Sequence, residues 1–212
     1  MSTSFGILPI KMDKHLTFGN VVEAAEKTMN DFLQSYEITT KVTFSIELRD
    51  NDENYENKVS PDDKFIWKDT EHAWFTIDQV KTGGIEAYCN QLSETLDYWP
   101  EYVEEKCGEL IDEKLAETIK KYNIKYYVNR SPGQTPLIQI GYGHIAAAIA
   151  KMSEGIIYSV NGWDPSMMPT DADKFAGFYF RPEKTEHEPS RIWSEKCLNK
   201  IRPPKKRMQL QF

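Results

Sequence analysis

Nine residues near the middle of the chain, His144 to Met152, hold four alanines and neither glycine nor proline, and apolar runs flank them on both sides. Alanine is the strongest helix former because it gives up no side-chain entropy, and small side chains let a helix lie close to a sheet. Leu137 to Ile140 reads as a short buried strand that opens onto Gly141 and Gly143. Gly155 is placed to stop the helix in the left-handed conformation that other residues resist. Gly155 to Val160 is β-branched and aromatic and closes in the turn Asn161-Gly162, which predicts a second strand. The expectation over 137–160 is therefore strand, buried helix, strand, and the fold has to be built around it.

The rest of the chain supplies elements of both kinds. Phe5 to Ile10 predicts a strand that ends near Pro9. Asn20 is a candidate cap for a helix whose apolar positions, from Val22 to Tyr36, follow the helical period. Val42, Phe44, Ile46 and Leu48 alternate with polar residues, as a half-buried strand does. Arg49 to Lys64 is polar and reads as a long surface loop. Phe65-Ile66-Trp67 is expected to form a hairpin with the strand Ala73 to Ile77. After the turn Gly83-Gly84, the spacing of Ile85, Tyr88, Cys89, Leu92 and Leu96 predicts a helix. A boundary at Pro100 precedes a further helix with apolar positions from Val103 to Tyr122. Lys125 to Val128 predicts a strand, and Pro169 to Asp173 a helix start with acids near its N-terminus. Ala172, Phe175, Ala176 and Tyr179 form its buried stripe, with a strand over Phe178 to Phe180 as the alternative. Strands and helices interleave irregularly, which favours an α+β fold: a mixed or antiparallel sheet with several packed helices, in a single domain over 1–212. A basic tail runs from about 196 to 212, and Pro203-Pro204 denies it a helix.

Composition narrows function by exclusion. The 212 residues carry a formal charge of −7, which disfavours general binding to nucleic acid or anionic membranes and suits a basic protein partner. No apolar run is long enough to span a bilayer, and the first residues do not resemble a signal peptide. The three cysteines, Cys89, Cys107 and Cys197, are odd in number and widely spaced, which favours reduced thiols and a cytoplasmic setting. His15, His72, His144 and His187 are isolated from one another and from cysteine, so no metal and no cofactor are expected. Gly141, Gly143 and His144 could form an anion-binding pocket, with His144 as acid or base. They lack the third glycine of a dinucleotide fingerprint and the lysine of a phosphate loop, so a core or capping histidine is the competing reading.

Acidic charge is segregated. Between Glu94 and Glu117 stand nine acids against Lys106 and Lys114, and the stretch from Asp50 to Glu71 adds eight. Such a surface speeds encounter with a basic partner, and exposed aromatics within it anchor the complex. The candidate partner-binding residues are Asp50, Asp52, Glu53, Tyr55, Asp62, Asp63, Tyr98, Trp99, Glu101, Tyr102, Glu105 and Asp112.

Glu154 to Asp164, Glu-Gly-Ile-Ile-Tyr-Ser-Val-Asn-Gly-Trp-Asp, followed by Asp173-Lys-Phe-Ala-Gly-Phe-Tyr-Phe, resembles the C-terminal part of bacterial polymorphic-toxin immunity proteins. The resemblance implies a cytoplasmic α+β protein that binds and silences one cognate toxin, often a nuclease, without catalysis. It gives Trp163 and Asp164 structural roles and leaves the contact surface open. Two other readings stand beside it: a small enzyme built on Gly141, Gly143 and His144, and a structural or regulatory subunit that docks through the basic tail.

Overall fold

The computed structural model describes residues 3–50, 56–92, 110–131, 133–160 and 167–202. Eight strands form one antiparallel sheet: β1 (Thr3–Leu8), β2 (Phe44–Asp50), β3 (Glu56–Lys58), β4 (Glu71–Ile77), β5 (Ile85–Gln91), β6 (Ile124–Arg130), β7 (Ile156–Ser159) and β8 (Thr170–Asp171). Their order is β3-β2-β4-β5-β6-β1-β7-β8, so the first strand sits inside the sheet between β6 and β7. Helices α1 (Phe18–Ser35), α2 (Glu113–Tyr122), α3 (Pro136–Met152), α4 (Ala172–Phe178) and α5 (Glu188–Ile201) complete the single α+β domain.

Period two sorts the strands. Phe5 and Ile7 on β1, Tyr126 and Val128 on β6, Ala87 and Cys89 on β5, and Ala73 and Phe75 on β4 all enter one core with α1, α3, α4 and α5. Leu8, Ile156 and Tyr158 point to the opposite face, where Ile119 of α2 meets them. Each large apolar side chain fully withdrawn from water contributes about 1.5–3 kcal/mol, so the first and larger core dominates the fold.

α3 is the centre of that core. Every residue from Ile138 to Ala150 is buried, with the sheet on one side and α1, α4 and α5 around the rest. A helix apolar all round has no solvent face, and this explains the first correction: Leu137 to Ile140 is no strand but the opening of α3, which starts at Pro136 and runs through both glycines. A continuous apolar run carries no period by which to separate strand from helix. The glycines serve packing. A Cβ at Gly143 would overlap the Tyr179 ring, and one at Gly141 would lie 3.2 Å from Ile77 and Phe44. At the other end, Glu154 takes the left-handed conformation (φ 48), not Gly155. The N–H of Gly155 returns to Ala150 O at 2.7 Å, and a Cβ there would press on Leu8 O, so close approach to β1 is what requires glycine.

Other expectations also shift. α1 is capped by Thr17, three residues before the expected cap, and its hydroxyl accepts the Asn20 N–H at 3.2 Å. The polar stretch after Arg49 carries β3, paired to β2 with Glu47 opposite Lys58. Phe65-Ile66-Trp67 does not pair with β4. Phe65 N–H bonds Leu16 O, and Tyr126 Oη donates to Phe65 O at 2.7 Å, which holds Phe65 and Trp67 in the core and leaves Ile66 outside. Ile85 to Gln91 is a strand, because Ile85, Ala87 and Cys89 face the core between β4 and β6. Gly83 (φ +92) makes the preceding turn. In the described part of the helix expected from Val103, α2 begins at Glu113, where Asp112 Oδ1 caps it by accepting Leu115 N–H at 2.8 Å. Ala172, Phe175 and Tyr179 are buried as expected and Ala176 is half-buried, while Phe178 to Phe180 is not a strand. α5 carries the helix as far as Ile201, into the segment from which Pro203-Pro204 was expected to exclude it.

Candidate functional site

His144 settles the first candidate. Its ring lies in the core against Phe32 and Tyr179, with centroids 5.3 and 5.8 Å away. Nδ1 is 3.3 Å from Thr28 Oγ1, and that hydroxyl spends its only proton on the helix carbonyl of Ala24 at 3.0 Å or Ala25 at 3.2 Å. Thr28 therefore accepts, which places the proton on Nδ1 and leaves Nε2 a bare acceptor with no partner. Burial first, and the Arg181 cation second, lower the pKa to about 3, so the imidazole is neutral. Gly141, Gly143 and His144 thus form no pocket and offer no backbone N–H to an anion, since all three lie inside α3. The core histidine is the correct reading.

This has a pH consequence. The unfolded chain takes up the His144 proton near 6.5 and the folded chain only near 3, so the unfolded state binds more protons between those values. Stability is complete above about pH 6.5 and falls by about 1.4 kcal/mol per pH unit below it. Urea unfolding at pH 7.5 and 5.0 should show a loss of about 2 kcal/mol that His144→Leu removes. Identical pH profiles for the two proteins would contradict a sealed, neutral His144.

Neither described cysteine is a ready nucleophile. Burial pushes the Cys89 thiol up to about 11 and also raises that of Cys197. Among the described residues no group of three histidine, cysteine or acidic side chains could hold a metal ion, and no helix is long and apolar enough to cross a membrane.

Of the twelve partner-binding candidates, Asp52, Glu53, Tyr55, Tyr98, Trp99, Glu101, Tyr102 and Glu105 lie outside the described residues, as do Cys107, Trp163 and Asp164. The other four lie in three places. Asp112 is exposed at the start of α2, on the face of the sheet opposite α1. Asp62 and Asp63 are exposed beside the start of α1, where Asp63 O accepts Phe18 N–H and Pro61 O accepts Gly19 N–H. Asp50 ends β2, opposite Glu71 on β4.

Residues 60–71 link these acids to a cleft. The segment passes from the start of α1, through Phe65 and Trp67 packed on Phe18, to Asp69 and Glu71. Between it and the sheet end opens a cleft of about 550 Å3, lined by Leu48, Ile66, Trp67, Ile124 and Cys89, with Lys68, Asp69, Glu71, Asn90 and Gln91 as its polar part. Asp69 and Glu71 line the cleft with Lys68, Asp50 lies opposite Glu71, and Asp62, Asp63 and Lys64 precede the wall along the chain. Sequence reading found the acids but missed the wall. Ile66, 44% exposed between two buried aromatics, is the one signal of a surface apolar site there. A second concavity, of about 420 Å3, lies between the start of α2 and β7–β8 and is lined chiefly by Ile10, Leu115, Ile156 and Met168.

Comparison with protein-family models, with curated proteins and with solved structures finds no match to this chain.

Proposed function

We propose that this chain is a non-catalytic binding protein that neutralises a cognate bacterial effector toxin, a nuclease being one such target, through an acidic surface. The observation that carries the reading is a ligand-sized cleft lined by Asp69 and Glu71, with Asp50 opposite Glu71 on the neighbouring strand and the exposed Asp62 and Asp63 preceding its wall along the chain. A basic protein is drawn to such a cleft by long-range attraction, and the apolar wall supplies the short-range contact that slows its release. The resemblance of residues 154–164 and 173–180 to immunity proteins supports the same reading. The competing enzyme reading loses its site, because Gly141, Gly143 and His144 are sealed in the core. Affinity capture from the native host, followed by reconstitution with the purified partner, tests the proposal. A basic partner whose toxic activity is silenced at equal stoichiometry is expected. A partner that is acidic, or one whose activity the bound chain leaves intact, would sink it.

A further inference from the structure

This cleft has a more specific chemistry than its charge alone. We propose that it takes a lysine or arginine side chain of a polypeptide, with Glu71 as the counter-charge. The inference rests on the proposed basic partner and names where that partner is gripped. Lysine and arginine join an apolar stem to a charged head, and they bind best where a greasy wall leads to an acid.

Leu48, Ile66, Trp67 and Ile124 form such a wall, and the Cys89 thiol among them stays neutral. A volume of about 550 Å3 is ample for one long side chain and the backbone beside it. Glu71 stands half-buried at the polar end. Among the described residues its carboxylate accepts only the Lys68 N–H, at 3.3 Å, and no lysine or arginine forms an ion pair with it. The Asn90 side chain adds a further polar group.

The size of the cleft points to a polypeptide rather than a free cation, which would leave most of it unfilled. Trp67 in its wall is 8% exposed, and its indole N–H has no acceptor among the described residues. Lys68 is exposed and lines the same cleft.

The probes are acetyl-Ala-Arg-Ala-amide and its neutral counterpart acetyl-Ala-norleucine-Ala-amide, titrated at equal ionic strength against the full chain. The reporter is the assigned Trp67 indole N–H resonance in nitrogen-15 correlation spectra. The arginine peptide should move it saturably, and the norleucine peptide should not. Glu71→Gln, which keeps the shape of the side chain, should weaken the arginine peptide about fivefold. Ile66→Ala, at an exposed wall position, should weaken it without unfolding the protein. Equal titrations by the two peptides, or an unchanged titration in Glu71→Gln, would overturn the proposal. A flat peptide titration with a captured basic partner still held would end the cleft assignment alone. Absence of any basic partner would end the functional reading instead.

Discussion

Ala148→Glu is expected to lower the thermal midpoint by more than about ten degrees, or to prevent folding. Ala148 is 1% exposed, within a helix whose residues from Ile138 to Ala150 are all buried. No lysine or arginine lies on that run, and Lys151, three residues after Ala148, is exposed and already paired with Asp173. A charge in that position either stays ionised and unpaired or takes up a proton, and either course costs several kcal/mol. In a chain of this length each kcal/mol shifts the midpoint by about 2–4 °C. Calorimetry of the purified variant is the check. A midpoint within two or three degrees of the parent would mean that α3 is not the core helix and that the fold is organised otherwise.

Gly143→Ala should also be severe, although it adds a single methyl group. The added carbon would overlap Tyr179, which has nowhere to go. That ring is fully buried, stacks on Phe175 with centroids 4.9 Å apart, and donates its hydroxyl to Gln139 O at 2.8 Å. Alanine ordinarily stabilises a helix relative to glycine by nearly 1 kcal/mol, so propensity and packing predict opposite signs. Packing should win with a loss of about 2–3 kcal/mol, since overfilling a tight core forces side chains off their rotamers. Urea unfolding measures it. A variant more stable than the parent would show that the ring yields. Gly177→Ala is the control, because a Cβ there meets nothing within 4 Å.

Gly141 and Gly143 show why part of the fold was hidden from the sequence. Periodicity exposed α1, which buries one face, and β2, where Phe44, Ile46 and Leu48 alternate with polar residues. α3 has no wet face. Its first turn therefore looked like a strand, and Gly141 and Gly143 looked like a loop. β5 failed for the opposite reason, since Ile85, Tyr88, Cys89 and Leu92 match a helical spacing by accident while the pairing with β4 and β6 decides the strand. Glu154 in a left-handed cap defeats a rule that assigns such positions to glycine. At the candidate site, the acids were legible as composition. The cleft was not, because Leu48, residues 66–71, residues 89–91 and Ile124 come from four separated parts of the chain. Only the sheet register brings them to one end.

The most direct measurement of the central claim is the association rate with the captured partner as a function of salt. It compares the parent with a triple variant, Asp62→Lys, Asp63→Lys and Glu71→Lys, after circular dichroism has established that the variant folds. Opposite charges accelerate encounter and are screened at high ionic strength. The account predicts association slower by at least about tenfold at low salt, with the two rates converging as salt is added. Equal rates that do not change with salt would contradict it and place the contact away from this cleft.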